Sequence, residues 1–565
     1  MSMPNGAGNG VTSVDRPYYS TGQRLLRGYG PLAALVLVIA LIAVTVPSKA
    51  QKANNASASG AGSSGEEVAA GDNGASNAAA GPAAGPAGGA AGAAGQAGTA
   101  GKTVTLPGKT TACTGQALQV PGDPYSPPCI QFTGDNGGST SKGVGKDSIT
   151  MAVRLTADQS FQQTLAQLAG AQLRDTNDDN VRTINALAQY FNTHYQFYGR
   201  KIVVKTFNGQ GSLANELQGN GQAAAQADAV QVGKQINAFV DLTGGSEPYA
   251  TSLKNQQVIA LGDPYMPGYW HQDHSPYAWS LATDGTHLAT SVADYAVQKL
   301  CPQGTPAAYA GGDLKNKGRK FAGIAPANEL YQVSATVFKQ IMEAHGCAVD
   351  NYSYTLDLGT ESQQAQNLIS QLKAKGYTTI LCGCDPIFPV YMTGQESSQN
   401  YIPEFVEIGA ALVDQDYVGQ LYNQQAFAHA IGISPNLATV PYTQTLGYQA
   451  YKAVQPNTEP SFFVNIIYGQ MAMMAIGLQM AGPNLTPQSF QQGMFSFPAK
   501  LGPAGLWGFS KDQYTIPNDF REVCWSPNTV SPYNSKPGAY IESSKARWTI
   551  DNVPKGPPGC PIPSG

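Results

Sequence analysis

The sequence predicts an α/β protein with two doubly wound lobes, a hinge and a ligand cleft between the lobes. Short apolar strands alternate with amphipathic helices from about residue 148 to about residue 408. This alternation predicts parallel sheets that are covered by helices on both faces. It is longer than one open sheet usually holds, so two lobes are expected. A transmembrane helix and a disordered linker are expected to precede them.

The expected transmembrane helix is the apolar run at residues 29–47, which contains no charged residue and is long enough to cross a bilayer. Arg24 and Arg27 lie just before it, and this positive flank predicts that the amino terminus stays in the cytoplasm. Residues 1–28 are then a disordered cytoplasmic tail, and the rest of the chain lies outside the cytoplasm. Residues 48–50 also fit a signal-peptide cleavage site, and the protein would be secreted if that site were used.

Composition divides the exported part into segments. Residues 48–102 are mostly Ala, Gly, Ser and Asn, which is typical of a flexible linker. Residues 103–142 contain Pro, Gly and two cysteines and predict an irregular lead-in that a disulfide holds. The two-lobed domain is expected at residues 143–550, and a Pro- and Gly-rich tail at residues 551–565 follows it.

Residue periodicity predicts the individual elements of the two lobes. The predicted strands lie at residues 148–153, 202–207, 238–242, 258–261, 321–324, 379–381 and 405–408. The predicted helices lie at residues 179–195, 222–235, 287–300, 329–345, 361–375 and 463–480. Val181, Ile184 and Leu187, for example, repeat at helical spacing and predict one buried face for the first of these helices.

Charge and cysteine count limit the classes of function. The formal net charge is −4 and only 12% of the residues are charged, which argues against a nucleic-acid partner because such a partner requires a basic face. All eight cysteines follow the apolar run, and an even number outside the cytoplasm is typical of disulfides. Proximity suggests the pairs Cys113 with Cys129, Cys301 with Cys347, Cys382 with Cys384, and Cys524 with Cys560. The closely spaced third pair could instead be a redox pair or half of a metal site.

Four stretches resemble the branched-chain amino acid (leucine, isoleucine, valine) type of ABC-transporter substrate-binding protein, which has the type 1 periplasmic-binding fold. They are residues 143–152, 325–331, 372–380 and 481–486. The resemblance lies in the order and spacing of these stretches and covers about residues 143–550. It implies two Rossmann-like lobes that close on a small molecule. It also implies a monomer that works with ABC permease subunits in the membrane.

The carboxyl ends of parallel strands are where open α/β sheets bind ligands. After the strand at residues 238–242 the chain reads Thr-Gly-Gly-Ser-Glu-Pro. Here glycine permits close backbone approach, Ser246 can cap the helix that follows, and free N–H groups at the helix start attract an anion. The resemblance implies that Gly245 and Ser246 hold the α-carboxylate of a ligand. An ordinary helix cap is the alternative interpretation.

Other candidate ligand-binding residues lie at equivalent strand ends. Asp263 and Tyr265 follow the next strand, and the resemblance implies that Tyr331 faces the ligand from the second lobe and that Asp385 lies in the cleft. The family's amino-acid binders carry an acidic residue after the strand at residues 405–408, where this chain reads Gly-Ala-Ala-Leu. This departure argues against a free α-amino acid as the ligand, although either aspartate could replace the missing charge.

Signals for catalysis and for metal binding are weak. Residues 271–274 read His-Gln-Asp-His, which is a poor pattern for a metal ion, and no nucleophile elbow, zinc-protease motif or triad spacing occurs. We therefore expect no enzyme activity, no metal and no cofactor. The sequence favours a membrane-tethered, extracytoplasmic solute-binding protein of an ABC transporter, with a small polar or amino-acid-like ligand. The alternative is a ligand-sensing ectodomain that signals to a separate membrane partner.

Overall fold

The computed structural model describes residues 110–156, 158, 164, 175–262, 265–302 and 305–563, without the side chains of residues 544 and 545. All of these residues belong to one unit, residues 96–565. The predicted transmembrane segment, the predicted linker and Asp263 lie outside the described residues. Within the described part of the chain, no helix combines the length and apolar character needed to cross a membrane.

A short lead-in precedes the first lobe. Strands β1 (Thr110–Ala112) and β2 (Ile130–Phe132) pair antiparallel, and the Cys113–Cys129 disulfide closes the loop between them. The lead-in packs on the first lobe: the hydroxyl of Tyr468, from a helix of that lobe, donates to the buried Asp123 carboxylate at 2.6 Å.

The first lobe contains a five-stranded parallel sheet in the order β4-β3-β5-β6-β7. Its strands are β3 (Ser148–Leu155), β4 (Lys201–Asn208), β5 (Val240–Asp241), β6 (Ile259–Leu261) and β7 (Ala278–Trp279). Its first helices are α1 (Asn177–His194), α2 (Leu213–Leu217), α3 (Gln222–Val230), α4 (Glu247–Asn255) and α5 (Gly268–Asp273). A π-helical segment, Gln231–Ile236, continues α3, so the helix predicted at residues 222–235 is confirmed.

The second lobe begins with α6 (Gly285–Tyr295), which a π-helical segment, Ala296–Leu300, extends. Its parallel strands are β8 (Phe321–Pro326), β9 (Val349–Tyr354), β10 (Thr379–Cys382), β11 (Glu404–Glu407) and β12 (Ala430–Ser434). The helices between and after them are α7 (Glu329–Ala344), α8 (Glu361–Lys375), α9 (Phe388–Ser398), α10 (Asp416–Gly419) and α11 (Gln424–Phe427).

The chain then returns to the first lobe and back to the second. Three helices, α12 (Leu446–Val454), α13 (Val464–Met480) and α14 (Pro487–Ser496), pack on the first sheet. A two-stranded ladder, β13 (Lys500–Gly502) with β14 (Gly505–Trp507), follows. Strands β15 (Phe520–Val530) and β16 (Pro537–Trp548) complete the second sheet. Short 3₁₀ turns lie at Phe197–Gly199, Gly312–Leu314 and Tyr442–Gln444.

The second sheet corrects the prediction of purely parallel sheets. Its order is β16-β15-β12-β11-β10-β8-β9, and β15 pairs antiparallel with both β12 and β16. For β15 and β16 the physical reason is their short connection, because antiparallel strands can be joined by a tight turn whereas parallel strands need a long crossover. For β12 and β15 it is the path of the chain, which leaves the second lobe at the end of β12 and enters it again at the start of β15. The protein is therefore an α/β protein in which the second lobe has a mixed sheet.

The cores lie between each sheet and its helices. Strands β5, β6 and β10 are completely buried, as expected for parallel strands that are covered on both faces. Helix α13 is apolar almost all round and nearly completely buried, so its methionines are packing residues. All four disulfides that proximity suggested are formed.

The hinge consists of chain segments that cross side by side between the lobes. The Thr283 hydroxyl donates to the Pro517 carbonyl at 2.9 Å, and the Asp284 N–H donates to the Thr515 hydroxyl at 3.0 Å. These bonds lie just before α6, where the chain leaves the first lobe. They connect two segments that both run from the first lobe to the second and that pair in parallel at Ser280 and Thr515.

Candidate functional site

The carboxyl ends of the parallel strands of the two lobes face each other across a cleft. The N–H of Ala411, after β11, donates to the hydroxyl of Tyr265, after β6, at 2.5 Å. The side chain of Asn328, after β8, donates to the Leu217 carbonyl of the first lobe at 3.1 Å. Leu330, in the first turn of α7, packs against the apolar core of the first lobe. The two edges are therefore in direct contact.

Ser246 lies where the sequence predicted, at the residue before α4, but its side chain does not cap that helix. Its hydroxyl instead donates to Oε2 of Glu216 at 2.5 Å, and Ser246 is completely buried. The prediction that Ser246 caps the helix is therefore wrong for the side chain. The reason is that donation to Glu216 fixes the orientation of the hydroxyl, because a hydrogen bond to a salt-bridged carboxylate is stronger than one between neutral groups.

Glu216 is also held by Arg154, which lies near the end of β3. The two terminal guanidinium nitrogens of Arg154 donate to the two oxygens of Glu216 at 2.9 and 2.7 Å. One of them also reaches Asp228 at 3.3 Å. The guanidinium group lies 3.7 Å from the ring centroid of Tyr249. This bidentate pair, completed by a cation–π contact, is the strongest polar arrangement that an arginine makes in a protein interior.

Asp241, the last residue of β5, supports the same edge. Its carboxylate accepts hydrogen bonds from the N–H and hydroxyl of Thr243, both at 2.7 Å, and from the Tyr249 hydroxyl at 2.8 Å. Burial raises the pKa of Asp241. A buried carboxyl group therefore holds the turn at residues 243–246, which includes Gly245. A Cβ atom added at Gly245 would meet only the Gly262 carbonyl oxygen, at 4.0 Å.

Asp385 occupies the end of β10 in the second lobe. Its carboxylate accepts from the Tyr354 hydroxyl at 2.6 Å and from the N–H groups of Ile387 and Phe388 at 2.8 and 3.3 Å. The Tyr354 ring stacks on the Phe388 ring with 3.8 Å between centroids. Burial raises the pKa of Asp385. Asp385 thus fixes the start of α9 and joins the ends of β9 and β10.

Glu361 and Glu407 are buried acidic residues at this edge that sequence reasoning missed. Glu361, the first residue of α8, is completely buried, and neither carboxyl oxygen has a hydrogen-bond donor among the described residues. Burial, with the charges of Asp385 and Asp357, raises its pKa to about 9. At Glu407, the last residue of β11, Oε1 accepts from the Gly409 N–H at 2.7 Å, whereas Oε2 has no such donor.

Asp414 lies close to Glu407 and completes the acidic side of the cleft. It accepts hydrogen bonds from the Ser434 hydroxyl at 2.6 Å and the Asn436 side chain at 2.7 Å. Burial raises the pKa of both Glu407 and Asp414, and the charge of Asp414 raises that of Glu407 further. The sequence carried one usable signal for these groups, because Glu407 stands inside an apolar strand, as Arg154 does in β3.

The structure brings some of the predicted residues together and leaves others apart. Gly245 and Ser246 share the edge of the first lobe, and Tyr265 reaches across to the second lobe. Tyr331, in the first turn of α7, packs against the core of the first lobe. Asp263 lies outside the described residues. Within the described ranges, no group of three or more His, Cys, Asp or Glu side chains is arranged to hold a metal ion.

Comparisons with known proteins agree with this architecture. Residues 164–525, more than half of the chain, match the sequence profile of the periplasmic binding protein family. No curated protein matches the chain. A solved ABC-transporter substrate-binding protein from Aeropyrum pernix is 9% identical, with a TM-score of 0.52 over 72% of this chain and 97% of that chain.

Two further solved structures are more distant. A solute-binding protein of an ABC transporter from R. palustris, in complex with 4-hydroxybenzoate, is 12% identical over 72% of this chain and 98% of that chain, with a TM-score of 0.48. A substrate-binding protein from Desulfitobacterium hafniense, in complex with Leu, is 12% identical over 70% of this chain and 100% of that chain, with a TM-score of 0.45. The profile match and the two-lobed fold agree, and this chain belongs to the periplasmic binding protein family.

Proposed function

We propose that this protein is the membrane-tethered, extracytoplasmic solute-binding protein of an ABC transporter. It closes its two lobes on a small polar or amino-acid-like ligand. The observation that carries the proposal is the contact between Tyr265 and Ala411, which joins the strand ends of the two lobes across the cleft. A ligand that touches both edges stabilises the closed population, and this is how a two-lobed protein reports that it is loaded.

We place the ligand between the two edges. The residues that we propose to line its site are Gly245, Ser246, Asp263 and Tyr265 on the first lobe and Tyr331 and Asp385 on the second. The absence of a side chain at Gly245 leaves room for close approach to the backbone. Asp385 makes three hydrogen bonds through its carboxylate, and a carboxylate can accept about four. One acceptor position therefore stays open for a ligand.

Export and tethering are part of the proposal. Four disulfides in the described part of the chain are typical of an oxidising compartment. Residues 29–47 supply the membrane anchor, and residues 48–102 supply a flexible linker with a reach of roughly tens of Å. The Aeropyrum pernix neighbour is a substrate-binding protein of an ABC transporter, and the proposal extends that role to this chain, with permease subunits as partners and a monomeric binding protein.

The proposal is tested on the full-length protein extracted from membranes. Small molecules that co-purify are released by denaturation, identified by mass spectrometry and added back. We expect one of them to raise the melting temperature, because it binds only the folded state. We also expect it to reduce the radius of gyration in small-angle X-ray scattering, since the lobes close. Binding without any change in the scattering profile would contradict lobe closure.

The tether has its own test. Membranes are sedimented, and the protein is followed by immunoblot before and after protease treatment of intact cells. We expect the protein to sediment with membranes and its two-lobed domain to be accessible from outside. Mature protein that begins at Gln51 and is free in the medium would refute the tether and leave the binding function untouched.

A further inference from the structure

The first lobe contains a complete anion cradle, which we define as the Arg154 guanidinium group, the Ser246 hydroxyl and the start of α4. Arginine presents a planar fork that matches a carboxylate, and the positive end of a helix dipole favours negative charge. A hydroxyl next to that helix start supplies one more donor. These are the groups that a site for a carboxylate needs, and they lie at the edge of the sheet that faces the cleft.

The cradle is filled by a carboxylate of the chain itself. Oε1 of Glu216 accepts from Arg154, and Oε2 accepts from both Arg154 and Ser246. Glu216 is only 1% exposed. The guanidinium group of Arg154 and the hydroxyl of Ser246 therefore both donate to this carboxylate, and both of its oxygens act as acceptors.

The backbone around Glu216 holds it in place. Gly211 passes so close that a Cβ at this position would lie 2.2 Å from Oε1 of Glu216. The next residue in the chain, Leu217, accepts a hydrogen bond from Asn328 of the second lobe. The segment that contains Glu216 is therefore packed against the backbone at Gly211 on one side and hydrogen-bonded to the closed second lobe on the other.

The opposite edge of the cleft is also unsuited to an anion. Two buried carboxyl groups, those of Glu361 and Glu407, lie there, together with the partly exposed carboxyl group of Asp385. Both oxygens of Glu361 and one oxygen of Glu407 have no hydrogen-bond donor among the described residues. When these groups are ionised, their oxygens are satisfied only by a ligand that donates hydrogen bonds, and a carboxylate cannot donate.

We propose that Glu216 permanently occupies the anion position of the first lobe, so that the cleft excludes carboxylates and accepts a neutral or cationic ligand that donates hydrogen bonds to the second lobe. This inference rests on the proposed solute-binding function. In it Ser246 is a positioning residue in the wall of the ligand site, because its hydroxyl orients Glu216. A ligand carboxylate could enter only by displacing Glu216, and this would leave a buried charge without its partner.

The test is chemical rescue of Glu216→Ala in the full-length protein. The substitution leaves the buried Arg154 without its partner, and we expect the melting temperature to fall by roughly 3 to 5 °C. Sodium acetate or formate, which restores the missing carboxylate, should recover most of this loss, whereas sodium chloride at the same ionic strength should not. Wild-type protein should show no shift with acetate, benzoate or leucine. The matched control is Glu343→Gln, because Glu343 is on the surface.

Two results of this experiment would overturn the inference. One is stabilisation of the wild-type protein by any of the carboxylates, which would mean that Glu216 can be displaced. The other is a Glu216→Ala variant that folds and ignores acetate, which would mean that the cradle is not an anion site. If this variant does not fold, the wild-type response decides, together with Ser246→Ala, which keeps the Arg154 pair and should also ignore carboxylates.

A co-purified ligand that carries a carboxylate would refute this inference and support the binding function. Rescue of Glu216→Ala by acetate, in a protein for which no ligand is found, would support this inference and contradict the binding function.

Discussion

Glu361→Gln should remove a large part of the pH dependence of stability. Glu361 is completely buried at the start of α8, and its carboxyl oxygens have no donor among the described residues. Burial comes first among the causes that raise its pKa to about 9, and the charges of Asp385 and Asp357 add to it. The glutamine side chain has nearly the same shape and cannot ionise, so this substitution isolates the proton.

The sign and size of the effect follow from the two pKa values. The group has a pKa of 4.5 in the unfolded chain and about 9 in the folded protein, so between these values the folded state holds a proton that the unfolded state has lost. Stability therefore falls as pH rises through this window, by at most about 1.4 kcal/mol per pH unit. For a folded region of this size, 1 kcal/mol corresponds to about 1 °C in melting temperature. From pH 5 to pH 8 the contribution of Glu361 is thus up to about 4 °C.

The assay is differential scanning fluorimetry of wild type, Glu361→Gln and the surface control Glu343→Gln in one buffer series from pH 5 to pH 8. We expect the difference between Glu361→Gln and wild type to grow steadily with pH in favour of the variant, whereas Glu343→Gln should follow wild type. Buried carboxyl groups that do not interact with Glu361 affect all three proteins equally and cancel in the differences, whereas the effect of Asp385 changes together with that of Glu361. Parallel curves for wild type and Glu361→Gln would refute the raised pKa.

Three more substitutions test contacts of the fold. Arg319→Met leaves the completely buried Glu404 without the guanidinium group that binds it at 2.8 and 2.9 Å, and it should lower the free energy of unfolding by about 3 to 5 kcal/mol. The control Lys511→Met, on the surface, should change this free energy by less than about 0.5 kcal/mol. Equilibrium denaturation measures both variants. Tyr265→Phe removes the hydroxyl that accepts the hydrogen bond from Ala411 of the second lobe. It should increase the radius of gyration of the unliganded protein in small-angle X-ray scattering. Cys560→Ala removes one disulfide and should cost about 2 to 4 kcal/mol, and peptide mapping without reduction should find all four disulfides in the wild type.

The parallel part of the fold could be predicted because its strands are apolar on both faces. Strand β10 reads Thr-Ile-Leu-Cys and is completely buried, and a short apolar run between helical patterns is the typical signal for such a strand. Strand β9 reads Val-Asp-Asn-Tyr-Ser-Tyr and lies at the sheet edge, where polar residues are tolerated. It was missed for that reason. Strand β15 contains Pro527, and a proline argues against a strand in any sequence-based assignment.

The candidate site could be predicted only where it depends on local sequence. The Gly-Gly-Ser turn before α4 was placed correctly because glycine, serine and proline at a helix start are a local signal. The partner of Ser246 was not predictable, since Glu216 lies 30 residues earlier and only the folded chain brings it to the turn. Glu407 was missed because the strand ends one residue earlier than predicted, so the sequence placed Glu407 within the strand and not at its end. Long-range contacts decide which side chains a cleft presents, and a single sequence does not contain them.

The two edges of the cleft accommodate their buried acidic groups in different ways. On the first lobe, Arg154 neutralises Glu216 through two hydrogen bonds. On the second lobe, Glu361 and Glu407 form no ion pair with any of the residues that the structure describes, and burial raises the pKa of both groups. The first edge is therefore a fixed wall, whereas the charge of the second edge depends on bound protons. A cationic ligand there would favour the ionised carboxylates and release those protons, so the affinity for such a ligand rises with pH while the stability of the unliganded protein falls.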